Sequence, residues 1–181
     1  MEKKTKLNLG CGNDIKGGYL NVDIGEGKGV DIVWDLNKYP YPFEDNTFEE
    51  IVADMVLEHL NDKIKPMEEM IRICKNGAII KITVPYYASK GALTHIDHKQ
   101  FFSEGTFNLF YPKDYLPKDH WKKEGGGCTY NRVREKNVII PLSVKKETFG
   151  RFRKYLPFKK YLAMFLINIY DHLYYEFKVL K

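Results

Sequence analysis

Leu7-Asn8-Leu9-Gly10-Cys11-Gly12-Asn13-Asp14 is the stretch on which the fold turns: a short apolar–polar alternation that runs into two glycines and an acid. Alternation over a few residues, stopped by glycine, predicts a strand followed by a tight turn. Two similar runs follow, Tyr19-Leu20-Asn21-Val22-Asp23-Ile24 and Val30-Asp31-Ile32-Val33-Trp34-Asp35-Leu36, each carrying an acid at its carboxyl end. In an open α/β sheet, ligands bind outside the carboxyl ends of the strands. Gly10, Gly12, Asp23 and Asp35 are therefore expected along one edge, as a nucleoside-cofactor site. Glycine at positions 10 and 12 is read as room for a ligand, because a side chain there would fill ligand space.

The connections are unusually short. Asn13 to Gly18 has fewer residues than the roughly ten to twelve that a βαβ crossover needs. The link Gly25 to Gly29 is shorter still, and Leu36 to Phe48 is loop-like, with Pro40, Pro42 and Asp45-Asn46. Loops are thus expected to join the first three strands, leaving one face of that half-sheet without helices. A bare apolar face must be covered, and the expected cover is the C-terminal segment or the second subunit of a homodimer.

Further on, a strand is expected at 49–53, with Asp54-Met55 at its carboxyl end and Glu58-His59 at the pocket mouth. Pro66 to Cys74 reads as a helix, because Met67, Met70, Ile71 and Cys74 share one face. Pro66 lies near its start and Gly77 is expected to end it. Ala78 to Val84 is the next strand, stopped by Pro85. Residues 86–130 form the expected substrate and lid region: Tyr86-Tyr87, Thr94-His95-Ile96-Asp97-His98, Phe101-Phe102, a capped short helix near Ser103, and a flap with Trp121, Gly125-Gly126-Gly127 and Tyr130. His95 and His98 have a spacing that metal ligands use, but no third ligand cluster is evident, so no metal is expected. Arg132 to Val144 reads as a strand bent at Pro141, Tyr155 to Tyr170 as a helix too short to span a bilayer, and Tyr174 to Leu180 as a closing antiparallel strand.

The chain of 181 residues suits one domain, with a cofactor-binding half at 1–85, the substrate region at 86–130 and C-terminal strands and helix at 131–181. Three widely spaced cysteines, Cys11, Cys74 and Cys128, argue against a disulfide framework and for a reducing, cytoplasmic setting. The net charge of +5 is mild and concentrated late, at Lys145-Lys146, Arg151, Arg153-Lys154 and Lys159-Lys160. A solvated face explains it; an anionic partner, whether membrane surface, nucleic acid or phosphorylated substrate, is the sharper reading. The apolar run 161–167 beside that basic flank admits a weak peripheral membrane contact.

Taken together, Leu7 to Gly12, Asp23, Asp35-Leu36, Tyr41-Pro42-Phe43-Glu44-Asp45-Asn46-Thr47-Phe48, Val56-Leu57-Glu58-His59-Leu60 and Val84-Pro85 resemble class I S-adenosylmethionine-dependent methyltransferases of type 11 over residues 5–110. The resemblance implies a Rossmann-like α/β sheet of seven strands, the last antiparallel, here with reduced helices around the first three. It implies S-adenosylmethionine as cofactor and S-adenosylhomocysteine as product. The cofactor would rest on Leu9, Gly10, Cys11, Gly12, Asn13, Asp23, Ile24, Asp35, Leu36, Asp54 and Met55. Asp23 would accept from the ribose hydroxyls, Asp35 or its backbone would read the adenine amino group, and Leu36 would lie against the ring. Asp14 stands where a dinucleotide fingerprint has its third glycine, which is unfavourable for a pyrophosphate and suits a cationic sulfonium. His59, His95 and His98 are the candidate catalytic bases for a hydroxyl acceptor. Ala53-Asp54-Met55-Val56 replaces the Asn-Pro-Pro-aromatic box of amino-group methyltransferases, which tilts towards O- or C-methylation of a small molecule or glycan. The alternatives are an RNA or protein methyltransferase using the basic C-terminal region, and a non-catalytic binding protein that keeps the cofactor fold.

Overall fold

A computed structural model describes residues 4–115, 138–148 and 170–181. Seven strands form a single sheet: β1 (Lys6–Leu9), β2 (Tyr19–Asp23), β3 (Ile32–Val33), β4 (Phe48–Asp54), β5 (Cys74–Pro85), β6 (Val138–Glu147) and β7 (His172–Leu180). Their spatial order is β3-β2-β1-β4-β5-β7-β6. The first five pair in parallel, and β7 runs antiparallel to both β5 and β6. The described helices are α1 (Ile64–Ile73) and α2 (Lys90–Thr94), with short 3-10 turns elsewhere. As the short connections required, no helix lies between β1 and β4.

Alternation along each strand divides the sheet into two unlike faces. The register aligns Leu7, Leu9, Val22, Ile51, Ala53, Ile80, Ile82, Tyr175 and Phe177 on one face, all fully or almost fully buried. The apolar side of α1 (Met67, Met70, Ile71) and the aromatic group Phe102, Phe107 and Phe110 belong to the same core. Phe107 meets Tyr175 and Phe177 edge-on, with ring centroids 5.0 and 5.6 Å apart. Each such buried aliphatic or aromatic side chain contributes about 1.5–3 kcal/mol.

The other face corrects an expectation. It carries Lys6, Asn8, Tyr19, Asn21, Glu50, Lys81 and Glu176 and is polar, so it does not present the bare apolar surface inferred from the missing helices. Glu50 gathers the Tyr19 hydroxyl, Lys81 at 3.0 Å and Lys6 at 3.6 Å. Asn8 Nδ2 donates to Asn21 Oδ1 at 3.0 Å and to the Asp14 carbonyl at 2.8 Å, and Asn21 Oδ1 accepts from the Lys16 N–H at 3.0 Å. These two buried asparagines satisfy the β1–β2 loop, doing the work a crossover helix would otherwise do. The helix expected over 155–170, the flap of Trp121, Gly125 to Gly127 and Tyr130, and the first part of the strand expected from Arg132 lie outside the described residues.

Local boundaries differ in three places. Gly77 does not end α1; β5 begins at once at Cys74, and Gly77 sits within it at φ 83°. Ser103 opens a turn, while the capped helix is α2, where Ser89 Oγ accepts from the Ala92 N–H at 3.1 Å. β3 is only two residues, so Trp34, Asp35 and Leu36 lie past its end, in the loop. That loop is clamped to α1 by Arg72, which donates to Glu69 and Asp45 at 2.7 Å and to the carbonyls of Phe43 and Tyr41 at 2.9 and 3.1 Å. The bend at Pro141 is present as a register shift between Pro141 and Ser143.

Candidate active site

The carboxyl ends of β1, β2, β3 and β4 border a cavity of about 350 Å³. Of the residues expected there, Gly10, Asp23, Ile24, Asp35, Leu36, Met55 and His59 line it. Leu9 and Cys11 are buried in the core, 1% and 3% exposed, and do not reach it. Gly12, Asn13 and Asp54 are exposed and lie outside its wall. Trp34, Asn37, Val56, Leu60 and Lys99 complete the lining, and none was expected there from the sequence, although Val56 and Leu60 belong to the motif 56–60. Trp34 stood inside a run read as strand, and Lys99 belongs to a distant segment, so no local pattern marked either.

The turn after β1 is tied to the acid after β2. Asp23 Oδ2 accepts from the Gly12 N–H at 2.7 Å, and Oδ1 from the Gly25 N–H at 3.2 Å. Each oxygen keeps a second acceptor site for a ligand hydroxyl. Gly10 and Gly12 have φ of 65° and 48°, a region open to glycine. The reason for Gly10 differs from the one expected. A Cβ there would stand 2.3 Å from Val56 Cγ2, so this glycine makes room for the protein's own side chain. At Gly12 nothing lies within 4 Å of such a Cβ.

Asp35 Oδ1 accepts from the Asn37 N–H at 2.9 Å, and this bond holds the Asp35 carboxyl below the usual carboxylate range. Asn37 Oδ1 in turn accepts from the Asn61 N–H at 2.8 Å, joining the loop after β3 to the one after β4. Met55, past the end of β4, holds a left-handed φ of 50°. Such strain in a residue other than glycine collects at ligand sites.

The three histidines come together. His98 stacks on His95 at 4.8 Å and meets His59 edge-on at 4.9 Å. His59 alone among them lines the cavity. Its Nδ1 lies 3.0 Å from Asp97 Oδ2. Burial, and then the neighbouring His59, hold His98 below the ordinary histidine range. Beneath them Glu58 is wholly buried, and burial pushes its carboxyl up to about 7, with Asp54 and Asp97 adding to the effect. The two imidazoles that the sequence offered, at His95 and His98, are thus joined by other ligating groups. Glu58, His59 and His98 each place one potential metal-ligating atom within 4.8 Å of the others, as do His95, Asp97 and His98. The backbone fixes this meeting: the N–H groups of Lys99 and Gln100 donate to the Glu58 carbonyl at 2.7 and 3.1 Å.

Comparison with known proteins agrees with this fold. Residues 12–82 match the family described as "Methyltransferase domain". No curated protein matches the chain. Among solved structures, a SAM-dependent methyltransferase from Archaeoglobus fulgidus is 15% identical with a TM-score of 0.61, over 96% of this chain and 85% of that one. The [4+2]-cyclase SpnF is 13% identical with a TM-score of 0.60, over 97% and 74%. Phosphoethanolamine N-methyltransferase 2 of Haemonchus contortus, in complex with S-adenosyl-L-methionine, is 17% identical with a TM-score of 0.53, over 97% and 48%. At these identities the structures establish the shared fold. With that sheet order and a methyltransferase-domain match running from the first turn into β5, the chain has the Rossmann-like fold of class I S-adenosylmethionine-dependent methyltransferases.

Proposed function

We propose that the chain binds S-adenosylmethionine in the 350 Å³ cavity and methylates an oxygen or carbon of a small molecule or glycan. The observation that carries this reading is Asp23, fixed at the cavity wall by two backbone N–H groups with acceptor capacity to spare. The remaining wall fits the group. Trp34, Leu36, Val56 and Leu60 offer an apolar slot for an adenine ring, and Asp35 stands beside it. The cavity also falls within the roughly 300–1,000 Å³ usual for small-ligand sites.

Bound S-adenosylmethionine would supply the activated methyl group, and the protein would supply position. Asp23 orients the ribose, and the apolar wall keeps water from the adenosyl moiety. His59, with Asp97 on Nδ1, is the proposed base for an acceptor hydroxyl, through its other nitrogen. A second cavity of about 460 Å³, lined by Tyr86, Tyr87, Phe101 and Phe102 past the end of β5, is the proposed acceptor site.

The test is calorimetry with S-adenosylhomocysteine on wild type and Asp23→Ala. Hydrogen bonds to a charged group are worth about 1.5–3 kcal/mol, so the variant should bind about 10- to 100-fold more weakly. Wild type without affinity, or equal affinity in both proteins, would overturn the proposal.

A further inference from the structure

We propose that Glu58, His59 and His98 form a binding site for a divalent first-row transition ion at the rim of the cofactor cavity. The first ground is proximity, since one ligating atom from each lies within 4.8 Å of the others. Metal–ligand bonds of about 2.0–2.2 Å put tetrahedral ligand atoms roughly 3.4 Å apart. Side-chain rotations that shorten the widest separation by about 1.4 Å close that gap.

The second ground is independent. Glu58 is 0% exposed, and neither of its carboxylate oxygens has a hydrogen-bond partner beyond the approach of its own backbone N–H. His98 Nδ1 is also buried and unpartnered. Among the described residues, six buried side-chain atoms lack partners, and three of them belong to this one triad. Orphaned buried polar atoms are rare in folded proteins and call for an explanation, an ion among them. Among the described residues Lys99 and Lys63 do not supply it: Lys99 Nζ is committed to Asn61 Oδ1 at 2.9 Å and Lys63 Nζ to the Phe101 carbonyl at 2.7 Å. Asp54 and Asp97 act on Glu58 as further anions. A cation is what this charge arrangement lacks.

Two imidazoles and one carboxylate, with other positions open, are the donor set of borderline transition ions rather than of magnesium or calcium. Asp97 on His59 Nδ1 at 3.0 Å is the type of partner that orients a ligating imidazole. The consequence for catalysis rests on the methyltransferase reading. Beside the cavity, the ion would lower the pKa of a bound acceptor hydroxyl, whose proton leaves to water, and so take over the role of base from His59.

The test uses chelator-treated protein titrated with Co²⁺, read by visible absorption, then challenged with Zn²⁺ in a calorimeter. One Co²⁺ per chain, displaced by Zn²⁺, is expected, and Glu58→Gln and His98→Ala should each weaken binding about 100-fold. Circular dichroism melts establish that the variants fold; the near-isosteric Glu58→Gln decides the matter if His98→Ala does not. Absence of stoichiometric binding by wild type, or unchanged affinity in Glu58→Gln, overturns the site. S-adenosylhomocysteine affinity is measured on the same proteins. An ion bound without affinity for that nucleoside would defeat the cofactor reading and leave the metal site standing.

Discussion

Gly10→Ala separates two reasons for a glycine at the cofactor edge. If the glycine serves only the ligand, alanine leaves the empty protein intact. The geometry requires otherwise. A Cβ at position 10 would stand 2.3 Å from Val56 Cγ2 and 2.6 Å from Val56 Cβ, and the backbone holds φ at 65°. The left-handed conformation costs alanine about 1–2 kcal/mol. The steric overlap adds about 1–3 kcal/mol, so the total is about 2–5 kcal/mol. Gly12→Ala is the control, since its φ of 48° carries the strain but nothing lies within 4 Å. It should cost only about 1–2 kcal/mol. Removing Val56 to its Cα matters, because Val56→Ala would leave the Cβ in the way. In a Val56→Gly background Gly10→Ala should therefore fall to the cost of the control, a coupling of about 1–3 kcal/mol in the double-mutant cycle. Urea unfolding of the four proteins measures it, with about 2–4 °C of melting temperature per kcal/mol as a second reading. If Gly10→Ala costs no more than Gly12→Ala, or if Val56→Gly gives no relief, the packing argument is wrong.

Arg72→Lys should cost about 1–3 kcal/mol in the same assay, because an ammonium cannot span Glu69, Asp45 and two carbonyls at once; a loss under about 0.5 kcal/mol would show that the clamp is unimportant. Asp31, held below the ordinary carboxylate range by the Asn21 N–H and then by Lys4, gives a pH prediction. Because its folded pKa is depressed, its stabilisation is present above the ordinary value near pH 4 and is lost as pH falls through the folded value. Melting temperature followed down the acid limb should therefore decline less steeply in Asp31→Asn; an identical slope would refute the assignment.

Much of the fold could be read from short segments. Leu7 to Gly12, Tyr19 to Ile24 and the run 49–53 announce strands that are followed or ended by glycine or acid, and Asp23 and Asp35 line the cavity. The reading erred where a residue's role depended on a partner far along the chain. Leu9 and Cys11 neighbour the glycines yet are buried: strand alternation turns Leu9 inward, and Cys11 lies just past the end of β1. The polar face was written in Lys6, Asn8, Tyr19 and Asn21, but inferring a bare apolar surface from missing helices passed over that alternation.

The sequence by itself determined where most strands fall, a helix over about 66–74 and the absence of early crossover helices, since periodicity, turn residues and loop length are local properties. Only the tertiary structure decided that Val56 fills the space over Gly10, that Trp34 and Lys99 complete the cavity, and that Glu58 meets His98. Those meetings depend on strand register and on two backbone hydrogen bonds to the Glu58 carbonyl. They join segments too far apart in the chain for any periodic pattern to encode.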